Sequence, residues 1–250
     1  MNRVTGFSAI LIAIASTGTA HGSMVTVNYT VDGGGDNNAP LNGLAARATF
    51  TTTGALMTVL LENTSTGLPA GFDTADSLLV SLGFNLPQGT SIVSGNTAVI
   101  GPGSVGQGQW GALGAGDSVA VEWAWTNSGG GDLLNSYLQV ISTSMGNQGL
   151  TQFGGGAANV GGPYGGITAS PPLLNIPGAQ RAVSNSILFG LTLSVPLTDA
   201  QLGTIANQSI VEFGSDARYL RVPEPSSLAL LAGGAIRLVS RPKRPERHPH

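Results

Sequence analysis

Met24-Val-Thr-Val-Asn-Tyr-Thr-Val31 alternates without a break, with Val25, Val27, Tyr29 and Val31 on one face and Thr26, Asn28 and Thr30 on the other. A period of two with β-branched and aromatic residues on the apolar side predicts a half-buried strand. Working outward, Arg47 to Thr53 and Ala55 to Asn63 are β-rich runs that meet near Gly54 and read as a hairpin. Ser77 to Leu86 is a more continuous apolar strand that stops at Pro87. In Val119-Ala-Val-Glu-Trp-Ala-Trp125 the valines and tryptophans share one face, which predicts another strand with a heavy inward side. Tyr137 to Thr143, Ser186 to Val195 and Gln208 to Phe213 complete the set, and Thr198-Asp-Ala-Gln201 has the spacing of a capping box that opens one short helix. Seven or more strands without a long helical period predict an all-β fold, an antiparallel β-sandwich of jelly-roll-like or immunoglobulin-like type.

Composition agrees with an extracellular kind of β protein. Charged residues make up 9% of the chain, against about 25% in ordinary soluble domains. The 38 glycines among 250 residues are about twice the usual share. Residues 144 to 180 concentrate them, in Gly154-Gly-Gly156 and Gly161-Gly-Pro-Tyr-Gly-Gly166 ahead of Pro171-Pro172, and read as a long Gly/Pro-rich loop insertion.

Charge divides the chain. Residues 23 to 220 carry three basic residues, Arg47, Arg181 and Arg218, against eleven acidic ones, a net charge of −8. A body with no lysine and three scattered arginines does not neutralise a run of phosphates, so nucleic acid is excluded as its partner. Cysteine is absent, and the histidines, His21, His248 and His250, all lie at the ends. That removes disulfides, thiolate catalysis, Ser-His-Asp chemistry and imidazole metal sites from the body.

The two ends read as addresses. Arg3 precedes the apolar stretch Phe7 to Ala15, and small residues follow in Ser16-Thr-Gly-Thr-Ala20, which is the tripartite pattern of a secretory signal peptide over residues 1–22. Cutting before His21 or before Ser23 fits the small residues at 18, 20 and 22. Such a leader implies the Sec machinery and signal peptidase as partners.

At the other end, residues 222–250 run Val222-Pro223-Glu224-Pro225-Ser226-Ser227, then the apolar Leu228-Ala-Leu230-Leu231-Ala-Gly-Gly-Ala-Ile236, then a stretch holding Arg237, Arg241, Lys243 and Arg244. Two prolines around Glu224 forbid helix and ladder pairing locally. The apolar run suits lipid and the cations beyond it form a cytoplasmic stop. Counting Ser227 to Val239 as one short helix gives about 20 Å, less than the hydrocarbon core of a bilayer.

This order resembles the PEP-CTERM sorting signal of bacterial exosortase substrates. The resemblance implies processing near Val222-Pro223-Glu224-Pro225 by an exosortase, transient anchoring in the inner membrane through Leu228, Leu230, Leu231 and Ile236, and delivery to the cell surface, extracellular matrix or biofilm. The segment from Val183 through Asp216 also resembles the close of many PEP-CTERM ectodomains, which implies a β-sandwich surface protein over residues 23–221.

Three features of the body bear on binding or catalysis. Asp32-Gly-Gly-Gly-Asp36 offers hard oxygen ligands that suit Ca²⁺, with Asp32 and Asp36 as the candidate ligands, although it matches no EF-hand or RTX pattern and turns of this composition also occur without metal. Among the aromatic residues, Trp123 and Trp125 read as core, and Tyr164 in the glycine-rich loop reads as the exposed ring with which the protein would meet an extracellular polysaccharide. Glu62, Glu122 and Glu212 are the body's only glutamates, and no short motif joins two of them as a glycosidase pair. The expectation is therefore a non-enzymatic exported protein, with a carbohydrate-binding module as the alternative and a secreted glycosidase behind it.

Overall fold

The computed structural model describes residues 22–34, 41–129, 134, 136–144, 150–156, 160, 162–214 and 218–224. Over these residues the protein is mostly antiparallel β-sheet, in two sheets. The first sheet is built from β1 (Ser23–Tyr29), β3 (Ala46–Thr53), β4 (Leu56–Asn63), β13 (Ser186–Leu193) and β6 (Ile92–Ile100), hydrogen-bonded in that order. The second runs β10 (Thr151–Gln152), β8 (Ala124–Thr126), β9 (Gln139–Ser142), β5 (Leu79–Phe84), β11 (Ile167–Thr168), β12 (Arg181–Ser184) and β7 (Val105–Gly108). Beside β5 it also holds β14 (Ile210–Phe213), which pairs with β15 (Arg218–Arg221), which pairs in turn with β2 (Val31–Gly34).

The opening alternation is realised in β1, where Val27 and Tyr29 are buried and Met24, Thr26 and Asn28 exposed. Val31 departs from it. The strand ends at Tyr29, and Val31 starts β2 in the other sheet with its side chain exposed, because Arg221 recruits this segment as the partner of β15. The predicted hairpin is present, with Thr53 opposite Leu56 and a two-residue turn whose Gly54 has φ +60°. Positive φ at the first turn position alone is the type II′ pattern that matches strand twist.

One apolar core lies between the sheets. Phe50, Met57, Val59, Leu61, Ile187 and Phe189 enter it from the first sheet, and Leu79, Leu82, Phe84, Ile141, Val183, Val211 and Phe213 from the second. Phe50 meets Phe84 edge-on at 6.2 Å between centroids, and Phe189 meets Trp123 at 4.9 Å. The chain crosses from β12 to β13, and so from one sheet to the other, through Asn185 alone, at φ +77°. Asparagine tolerates this left-handed conformation. Its side chain donates to Ser104 Oγ at 3.3 Å and its carbonyl accepts from Asn63 N at 2.9 Å.

Residues 119–125 do not form the expected continuous strand. Ala120–Glu122 is a 3₁₀ turn and Val121 is 63% exposed. Ser118 bridges to Val99 in the first sheet, whereas β8 pairs with β9 in the second, so the turn carries the chain between sheets that one straight strand could not serve. The burial of Trp123 and Trp125 follows the sequence reading all the same. Residues 144–180 also differ from a simple loop. They supply β10 and β11, and Leu150, Phe153, Val160, Ile167 and Ile176 are buried, so apolar residues spaced among the glycines pin the segment down.

The one α-helix described, α1 (Asp199–Asn207), begins where the capping box predicts. Thr198 Oγ1 accepts from Gln201 N at 3.3 Å, and Gln201 Oε1 accepts from Thr198 N at 2.8 Å. Leu202, Ile205 and Ala206 turn its inner side into the core beside β1. Thr198→Ala is expected to cost about 1 kcal/mol in a urea denaturation curve, and Thr198→Asp to cost nearly nothing, since either oxygen satisfies the orphan N–H.

Candidate functional site

The last described strand leads directly into the Pro-Glu-Pro motif. β15 is held on both edges, by β14 with Arg221 opposite Ile210 and by β2 with Arg221 opposite Val31. The Arg221 guanidinium donates to Gly33 O from Nε at 3.2 Å and from Nη2 at 2.8 Å. Gly33 is required there: a Cβ would stand 2.9 Å from Tyr219 backbone and side-chain atoms. Val222 is half-buried and packs on the core, while Pro223 and Glu224 are exposed. The motif thus leaves the fold at the surface, where proline without an N–H ends ladder pairing. Pro225, the segment Leu228, Leu230, Leu231 and Ile236, the cations Arg237, Arg241, Lys243 and Arg244, and the leader lie outside the described residues. Among the described residues, no helix is long and apolar enough to cross a membrane.

Beside this exit opens a cleft of about 790 Å³, lined by Asn85, Tyr137, Asn207, Arg221, Val222 and Glu224 among others. Burial pushes the Tyr137 phenol up from its ordinary range, and the Arg221 charge opposes the shift. A smaller apolar hollow of about 360 Å³ adjoins it, where Leu86 and Pro87 face Ile205 of α1. Neither cavity was legible from a motif, because their walls come from strand ends, a helix and the C-terminal exit, far apart in sequence.

The remaining candidates fall elsewhere. Tyr164 is not the free ring expected of it. It is half-buried against Leu78, Val80, Ile176 and Ala182, on a segment fixed by Gly165 N donating to Arg181 O at 2.7 Å and by Trp123 Nε1 donating to Gly165 O at 3.0 Å. Asp32 is exposed in β2 and its carboxylate accepts from Gly34 N at 2.8 Å. Asp36, its proposed Ca²⁺ co-ligand, lies outside the described residues, among which no group of three His, Cys, Asp or Glu side chains is placed to hold a metal.

The three glutamates each have a partner of their own. Arg47 forks onto Glu62 with two contacts of 2.6 Å. Glu122 Oε1 meets Arg181 Nη2 at 2.5 Å, and burial pushes its carboxyl up while Arg181 pulls it down. Glu212, buried, accepts from Ser81 Oγ at 2.7 Å, and Ser81 Oγ lies 2.9 Å from Ser142 Oγ. None of the three lines either cavity. In comparison with known proteins, the chain matches no family model, no curated protein and no solved structure.

Proposed function

We propose that the protein is a non-enzymatic, exported surface or extracellular-matrix protein, delivered through the Sec machinery and signal peptidase and handed at the inner membrane to an exosortase. The observation that carries this reading is Val222-Pro223-Glu224-Pro225 followed by an apolar run and a basic stretch, together with Arg3, the apolar stretch Phe7 to Ala15 and the small residues after it. Two features of the fold support it. The last described strand closes at Arg221, and Pro223 and Glu224 are exposed just beyond it, so a membrane protease can reach these residues of the motif without unfolding the body. On this reading the two sheets form a β-sandwich ectodomain of jelly-roll or immunoglobulin-like type.

The test is made in a bacterial host that carries an exosortase. The unaltered chain is expected at the cell surface as a shortened species lacking the basic stretch. Glu224→Ala, an exposed substitution that leaves the fold intact, is expected to accumulate as the longer species in the inner-membrane fraction. Equal surface display and equal length for both proteins, by immunoblot of fractionated cells and intact mass, would overturn the proposal.

A further inference from the structure

The end strands of the two sheets are unequal. β6 closes one end of the first sheet, and its pairing with β13 slips twice: Leu191 faces Gly95 and Gly190 faces Thr97, leaving Asn96 extra, while Thr192 faces Ser94 and Leu193 faces Ile92, leaving Val93 extra. In the second sheet the end strands β10 and β7 have two and four residues, and β2 has four, of which Gly33 and Gly34 are glycines. Bulges and short length keep an edge from pairing with another chain, and glycine weakens a strand. β1, at the other end of the first sheet, has none of these features. It pairs with β3 in unbroken register from Ser23 opposite Thr52 to Tyr29 opposite Ala46, and Ser23-Met-Val-Thr-Val-Asn-Tyr29 holds no charge, proline or glycine.

The direction of its free backbone groups follows from its neighbours. Thr64 N donates to Ala45 O, so the odd-numbered residues of β3 turn their N–H and C=O toward β4 and the even-numbered ones toward β1. Ala48 and Phe50 therefore bond Val27 and Val25, and Met24, Thr26 and Asn28 point their N–H and C=O outward. Thr30, next in this series, follows the same rule: its N–H reaches outward to Arg221 O at 3.2 Å. The N–H and C=O groups of Met24, Thr26 and Asn28 have no partner among the described residues, and all three residues are exposed, Met24 at 70%. The α1 segment meets β1 from the inward side instead, where the hydroxyls of Ser23 and Tyr29 are joined to Asp199 and to Ser209 just beyond the helix.

We propose that β1 is a docking edge for a second copy of this chain, the two β1 strands pairing antiparallel about a two-fold axis at Thr26. The strand is complementary to itself. Thr26 meets Thr26 of the partner subunit, and Met24 meets Asn28 of the partner subunit, so every outward N–H and C=O gains a partner in one register. On the inward side Val25 comes opposite Val27 of the partner subunit and lengthens the apolar row. No like charges meet, and charge is a common block to such pairing. The arrangement uses both β1 edges and leaves a bulged β6 at each outer end, so it closes as a dimer. An unrelated extended peptide would share the backbone bonds but not this two-fold match.

This inference stands apart from the export reading, since it is tested on purified protein. Sedimentation velocity of the full chain is expected to show a concentration-dependent dimer. Thr26→Pro removes one outward N–H from each strand, a change that edge strands tolerate, and is expected to raise the dimer dissociation constant about tenfold or more. Thr26→Lys, which sets like charges opposite each other, is the second variant, with far-UV circular dichroism to confirm that the fold is kept. The chain contains no cysteine, so a single one reports position. Thr26→Cys sets two thiols in a facing pair with Cα atoms about 5.5 Å apart, within disulfide reach, whereas Met24→Cys sets them about 14 Å apart. Oxidation is expected to give a covalent dimer with Thr26→Cys and little with Met24→Cys, despite the high exposure of Met24. A chain that stays monomeric at every concentration, a dimer that survives both Thr26→Pro and Thr26→Lys, or linking by Met24→Cys as readily as by Thr26→Cys would each overturn the proposal.

Discussion

Phe189→Ala is expected to destabilise the fold by about 3–5 kcal/mol, the range for removing a fully buried aromatic ring. Phe189 is wholly buried on β13, which is paired on both edges, with β4 and β6. Its ring meets Trp123 at 4.9 Å and Phe153 at 5.3 Å, residues that enter from the side of the second sheet. Loss of the ring opens a cavity at the junction of the sheets. A strand hydrogen-bonded along both edges cannot move to fill it, so the transfer and cavity costs both remain. Phe189→Leu keeps most of the volume and is expected to cost less than half as much. Urea denaturation followed by tryptophan fluorescence measures both, and a cost below about 1 kcal/mol for the alanine variant would show that the rings do not hold the sheets together.

The second large effect is expected at a covered ion pair. Arg218 of β15 pairs with Asp76 on the segment ahead of β5, and the two side chains are 10% and 15% exposed. The guanidinium also lies 4.3 Å over the Phe72 ring, and the other Asp76 oxygen accepts from Asp73 N at 3.0 Å. Breaking a covered pair by removing one partner costs about 3–5 kcal/mol, so Asp76→Ala is expected to be strongly destabilising. The double variant Asp76→Leu with Arg218→Met removes both charges and is expected to recover most of that loss, as apolar replacements of buried pairs do. Equal costs for the single and double variants in a double-mutant cycle would sink the argument. Arg47–Glu62 makes the contrast. Its arginine is 45% exposed, so the same truncation there is expected to cost at most about 1 kcal/mol despite two short contacts.

What the chain states locally, it states plainly. Alternation in β1, the Gly54 hairpin and the Thr198–Gln201 capping box each depend on residues within a few positions of one another, so they read directly from the sequence. So do the all-β class, the inward tryptophans and the absence of histidine, cysteine and lysine from residues 23 to 220. β6 was not legible, because the two extra residues, Val93 and Asn96, break the period of two that marks a strand. Val119–Trp125 misled for the opposite reason: an unbroken alternation hid a turn that appears only because the chain must pass from Ser118 in one sheet to Ala124 in the other. Tyr164 sits among glycines in sequence yet lies on Leu78 and Ile176 in space, and Trp125, which patterned as plain core, has a buried indole N–H with no acceptor among the described residues. Pairing between distant strands decides which rings are covered and which donors are satisfied, and no local pattern carries that information.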